Sequence, residues 1–175
     1  MHVKNLKGFT LIELLVSLGL FSIIFSLIMM LFIANFKSYK CINNDAELQF
    51  QAQYILNFMS DKILESKYIE LANSNVVSHL KKTNEQKITK ISFRYGDDAM
   101  KCYNFENKNS KLFYGNSSAS SGTNVELGNY VIEMFACPIP EGINFENAEA
   151  VKIRLKFAKG NQSYEAEQTI FMRNN

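Results

Sequence analysis

Residues 14–34 form a run of 21 positions without one charged side chain. At about 1.5 Å rise per residue, a helix of that length covers roughly 31 Å, one hydrocarbon thickness. Beyond residue 37 the pattern turns from uniformly apolar to amphipathic. Leu48, Ala52, Ile55, Met59 and Ile63 step by three or four, while Gln49, Gln53, Asn57, Asp61 and Lys62 occupy the rest of the wheel. Leu64, Tyr68 and Leu71 carry that apolar side onward. No glycine falls between Gly19 and Gly96, and the first proline is Pro138, so nothing interrupts a helix. The pattern therefore predicts one helix from near Phe9 to about Ala72, membrane-spanning in its first half and sheet-covering in its second.

From Lys87 onward the period becomes two. Ile88, Ile91, Phe93 and Tyr95 predict a strand closed by the turn Gly96-Asp97-Asp98. Residues 100–105 and 111–114 predict two more strands around Asn107-Lys108-Asn109. The segment 115–124 (Gly-Asn-Ser-Ser-Ala-Ser-Ser-Gly-Thr-Asn) reads as a flexible loop without core-forming residues. A strand over 130–136 is expected to stop at Pro138 and Pro140, and residues 151–157 and 165–172 read as a terminal hairpin around Gly160-Asn161. Val151, Ile153, Leu155 and Phe157 alternate with Lys152, Arg154 and Lys156, one face buried and one wet. A long helix followed by a mainly antiparallel sheet makes the class α+β.

The opening residues add chemistry to this outline. Lys4 and Lys7 precede Gly8-Phe9-Thr10-Leu11-Ile12-Glu13, and Glu13 is a carboxylate at the start of the apolar helix. A charge placed there is costly in lipid and points to function. An ordinary secretory signal has a shorter apolar core followed by a small-residue cleavage site, and Asn35-Phe36-Lys37-Ser38-Tyr39 does not provide one. The lysines before the span favour a cytoplasmic leader, although Lys37 and Lys40 flank its far end.

The stretch Gly8-Phe9-Thr10-Leu11-Ile12-Glu13 resembles the processing site of type IV pilins and of the pseudopilins of type II secretion and competence systems. The resemblance implies that a prepilin peptidase cuts after Gly8 and N-methylates Phe9. It further implies that Glu13 meets the terminal amine of a neighbouring subunit during assembly. Such a buried pair would fix register more than it adds stability. The implied organisation is a leader at 1–8, a transmembrane and filament-core helix at 9–36, an amphipathic helix at 37–72 and a β-rich head at 73–175. A more diffuse resemblance, carried by residues 48–71, the long loop and the closing Gln168-Thr169-Ile170-Phe171-Met172-Arg173-Asn174, is to the minor pseudopilins of the GspJ or PilW type. The absence of a proline near Met30 fits that minor class. These likenesses imply a pilin-like fold and a non-enzymatic subunit of a pilus, a type II secretion pseudopilus or a DNA-uptake filament, acting in assembly initiation or the tip complex. Its implied partners are the prepilin peptidase, other pilins through the helix, and the cytoplasmic membrane, with the head outside the cytoplasm. The alternative is a pilus-tip adhesin whose head binds a surface, a glycan or DNA through an exposed 115–124 loop.

Composition narrows the rest. Lysine and arginine total 19 against 17 acids, and two of the lysines lie in the leader. No basic patch stands out, so no nucleic-acid partner is expected. Cys41, Cys102 and Cys137 form no C-x-x-C pair and no histidine cluster exists, so neither zinc nor another cofactor is expected. Cys102 and Cys137 both fall on predicted strands of the head and are the candidate disulfide pair; whether those strands are adjacent is not readable from the sequence. Asn104-Phe105-Glu106-Asn107 recurs as Asn144-Phe145-Glu146-Asn147, placing oxygen ligands in two expected loops without the spacing of a known calcium loop. His2 lies in the leader, leaving His79, and no catalytic constellation surrounds it.

Overall fold

The computed structural model describes residues 10–73, 84–98 and 100–173. The chain divides into two compact units, 1–43 and 44–175. Helix α1 (Leu11–Leu64) provides the described structure of the first unit and opens the second. Nine strands follow among the described residues: β1 (Tyr68–Asn73), β2 (Gln86–Ile88), β3 (Lys90–Arg94), β4 (Cys102–Lys108), β5 (Lys111–Ser117), β6 (Val125–Asn129), β7 (Val131–Ile139), β8 (Ala150–Lys159) and β9 (Gln162–Phe171). The class is α+β and pilin-like, as the pattern predicts.

The strands form two antiparallel sheets, one ordered β1-β3-β4-β5-β6 and the other β2-β7-β8-β9. The expected strand containing both Ile88 and Ile91 is in fact split. Ile88 pairs with Met134 in the four-stranded sheet and Ile91 with Phe105 in the five-stranded one. The odd three-residue step between the two isoleucines is where the period breaks. Thr89 lies at the crossing, its carbonyl accepting the Asn107 N–H at 2.7 Å.

The helix ends earlier than its apolar periodicity predicts, at Leu64 rather than near Ala72. Ser66, fully buried, stops it: its hydroxyl donates to the Lys62 carbonyl at 2.9 Å and its N–H to Ile63 at 2.9 Å. These bonds tighten the last turn and satisfy carbonyls that have no partner beyond a helix end. Lys67 then donates to the Arg94 carbonyl, and β1 pairs with β3. Consequently Leu64 and Tyr68 are exposed, and Ile69 points into the core instead.

The expected helical stripe is otherwise in place. Leu48, Ala52, Ile55, Met59 and Ile63 are fully buried, and Leu56 joins them. They share one core cluster with Ile91, Phe93, Phe105 and Leu112 of the first sheet and Met134, Ile153, Leu155 and Phe157 of the second. Each such buried aliphatic or aromatic side chain contributes about 1.5–3 kcal/mol of transfer free energy. Gly128 in β6 lets the sheet approach the helix: a Cβ there would lie 2.5 Å from Gln51 Oε1 and 2.7 Å from Ile55 Cδ1.

Pro138 does not stop β7, which continues to Ile139. On one side Pro138 pairs with Val151, while β2 reaches only as far as Ala136 on the other. A residue without an N–H is tolerated where no described strand needs its donor. The terminal hairpin forms as expected. Gly160, at φ 61°, occupies the first central position of its two-residue turn, where a II′ turn requires a positive φ.

Candidate functional site

The described helix begins with a reciprocal cap. Thr10 precedes the first helical residue and its carbonyl accepts the Leu14 N–H at 3.2 Å. Its hydroxyl accepts the Glu13 N–H at 3.4 Å, while its own N–H and hydroxyl donate to Glu13 Oε2 at 3.0 and 2.7 Å. This is the Thr-x-x-Glu capping box, which satisfies backbone donors that a helix start leaves without partners. One carboxylate oxygen thus serves its own chain, and Oε1 keeps its acceptor capacity. Sequence reasoning singled out Glu13 but missed Thr10. The signal was present, because Thr or Ser three residues before an acid at the head of an apolar run is the signature of this cap.

From Leu11 to Phe36, every large apolar side chain is 45–82% exposed. The helix is long and apolar enough to cross a membrane. Apolar surface of that extent is consistent with a helix lying in lipid or among other helices. The few polar groups in the span are satisfied internally. Ser17, Ser22 and Ser26 donate to the Leu14, Gly19 and Ile23 carbonyls at 2.9, 2.8 and 2.7 Å. Hydroxyls bonded within the helix remove most of the cost of placing them in hydrocarbon.

Gly8 and Phe9, the expected cleavage and methylation positions, lie outside the described residues, as does His79. Cys102 and Cys137, the candidate disulfide pair, are both buried, Cys102 at the start of β4 in the five-stranded sheet and Cys137 in β7 of the other. Burial pushes both thiols above their ordinary range, which keeps them protonated and unreactive. The repeated Asn-Phe-Glu-Asn motif does not supply two calcium loops. Its first copy is strand β4, and its second includes the short 3-10 turn Phe145–Asn147. Among the described residues no group of three or more His, Cys, Asp or Glu side chains could hold a metal.

The 115–124 segment also departs from expectation. Strand β5 runs through Ser117, and Val125–Asn129 adds β6, a strand the pattern did not predict. The residues between them lie against β3 and β4, where Lys90, Ser92 and Asn104 are buried. Lys90 Nζ donates to the Ser121 carbonyl at 2.6 Å, and Asn104 Nδ2 to those of Ser117 and Ser118 at 3.3 and 3.1 Å.

Comparison with known families gives one match: the prokaryotic N-terminal methylation motif, over residues 3–29. It takes in the two N-terminal lysines, the Thr10–Glu13 cap and most of the uncharged helix, and it supports a type IV pilin-like family for the chain. The motif implies processing by a prepilin peptidase and membrane association with other pilins. No curated protein and no solved structure matches the chain.

Proposed function

We propose that this protein is a minor pilin or pseudopilin, a non-enzymatic filament subunit cut after Gly8 and N-methylated at Phe9. The observation that supports it most is the methylation motif at 3–29 on a helix whose described apolar side chains are exposed. Cleavage before the apolar segment, not after it, leaves the helix as a permanent anchor. The head then stays outside the cytoplasm until assembly moves the helix from lipid into a bundle of like helices. The filament is a pilus, a secretion pseudopilus or a DNA-uptake fibre, with the subunit acting in initiation or at the tip.

Glu13 supplies the step that lipid immersion alone does not. A carboxylate in hydrocarbon costs on the order of 3 kcal/mol, a cost that a cationic partner offsets. The methylated amine of Phe9 on an adjacent chain is that partner, and Glu13 Oε1 is the acceptor left for it by the Thr10 cap. The pair forms only at one axial stagger of neighbouring helices, so it selects register. Glu13→Gln keeps a hydrogen-bonding shape and removes the charge. The expected outcome is a chain cleaved normally and present in the membrane, but lost from the sheared filament fraction. Normal incorporation of processed Glu13→Gln would contradict the role given to the charge.

The tip-adhesin reading relied on an exposed 115–124 loop. In that segment Asn116, Ser120, Gly122 and Asn124 are exposed, while Lys90 and Asn104 hold the carbonyls of Ser117, Ser118 and Ser121.

A further inference from the structure

Strands β3 and β4 pair Lys90 with Glu106 and Ser92 with Asn104 across the ladder. Ile91 faces Phe105 between these pairs and Phe93 faces Tyr103 beyond them, all within the core. Side chains alternate between the faces of a sheet, so the four polar residues form a row on the opposite face. Such a row is ordinarily a solvated surface. Here Ser92 and Asn104 are fully buried and Lys90 is 9% exposed.

Residues 118–123 (Ser-Ala-Ser-Ser-Gly-Thr) provide the cover. Besides the Lys90 and Asn104 bonds, Ser92 Oγ reaches Asn104 Oδ1 at 2.5 Å and the Ala119 carbonyl at 3.5 Å. Thr123 Oγ1 donates to Glu106 Oε2 at 3.0 Å. Within the segment, Ser121 N–H returns to the Ser118 carbonyl at 2.9 Å and the two hydroxyls lie 2.6 Å apart. None of its side chains belongs to the hydrophobic core, and its Ala119 backbone also bonds the buried Cys102 thiol. A segment without buried apolar anchors sits at the low end of local stability, where opening does not require the rest of the fold to open. Burial also holds the Lys90 ammonium below its ordinary range, so closure disfavours its charge.

We propose that residues 118–123 are a hinged cover that opens as a local unit, with both sheets intact, and thereby controls access to the Lys90 amine and its polar row. The closed state rests on one close approach. A Cβ on Gly115 would lie 3.1 Å from the Gly122 carbonyl oxygen and 3.2 Å from Thr123 Cα, while a Cβ on Gly122 would meet nothing within 4 Å. Gly115→Ala therefore crowds the cover, whose backbone must give way for the new Cβ, and Gly122→Ala is the matched control.

The test is residue-resolved acylation of the full-length protein in detergent micelles with an N-hydroxysuccinimide acetyl ester, with exposed Lys101 as internal reference. Amide exchange in β8 and β9 is read on the same samples. In the wild type and in Gly122→Ala, Lys90 is expected to react at least about tenfold more slowly than Lys101. Gly115→Ala, and independently Asn104→Ala, bring Lys90 toward the Lys101 rate with β8 and β9 still protected. Three results overturn the proposal: Lys90 reacting as fast as Lys101 in the wild type, Lys90 staying protected in a variant whose β8 and β9 remain folded, and exposure of Lys90 in both variants only with loss of β8 and β9 protection.

Discussion

At the scale of single residues, two short side chains set the limits of the long helix. Thr10 opens it by sharing hydrogen bonds with Glu13, and Ser66 closes it by returning to the Lys62 carbonyl. A capping residue of this kind contributes about 1 kcal/mol. Gly128 is the third residue whose identity is dictated by geometry, because the helix passes where its side chain would be. Gly128→Ala forces Gln51 and Ile55 aside. It is expected to lower head stability by about 1–3 kcal/mol, the range for overpacked cores. Thermal unfolding of the full chain in micelles, followed by the near-ultraviolet signal of the head tyrosines, checks it. An unchanged midpoint would mean that β6 can move off the helix at no cost.

Among the elements, legibility in the sequence follows locality. The helix stripe from Leu48 to Ile63 and the β8–β9 hairpin were readable because period and turn chemistry are written in adjacent residues. The helix end was not. Leu64, Tyr68 and Leu71 keep helical spacing, and only the pairing of β1 with β3 makes the strand win. The burial of the polar row of β3 and β4 was not legible for the converse reason, since Lys, Ser, Asn and Glu on one face look solvated until a cover folds onto them.

The outer face of the four-stranded sheet carries an ion-pair ladder, and its pH response can be worked out. Arg154 bonds Glu85 at 2.7 Å and Glu165 at 3.1 Å, and its guanidinium lies 4.2 Å from the Phe135 ring centroid. Bonding to Arg154 holds the Glu85 carboxyl below its ordinary value, and Lys156, with Arg154, does the same for Glu165. Carboxylates with lowered folded pKa values stabilise the fold above their unfolded value. That contribution is lost as pH falls through the folded one. The head midpoint is therefore expected to drop as the solution is taken below pH 4.5, and Arg154→Ala to flatten that acid-side slope. Parallel slopes in the two proteins would show that the ladder carries no linkage.

On the scale of the whole molecule, the sequence yielded the class, the apolar span and the assembly motif. It did not yield the partition of nine strands into two sheets. Pairing between β2 and β7, or β1 and β3, joins segments far apart in the chain, and no local pattern encodes it. The one family match covers only the N-terminal motif, where short-range chemistry is densest, so the head's account rests on its own packing.

The central claim is that this helix start is a processing and assembly site. The measurement that tests it most directly is the intact mass and N-terminal sequence of the membrane-extracted protein, made with and without a prepilin peptidase. The account predicts a chain beginning at N-methylated Phe9 only when the peptidase is present. A chain still beginning at Met1, in cells that process a control pilin, would contradict it and reduce residues 1–36 to a membrane anchor.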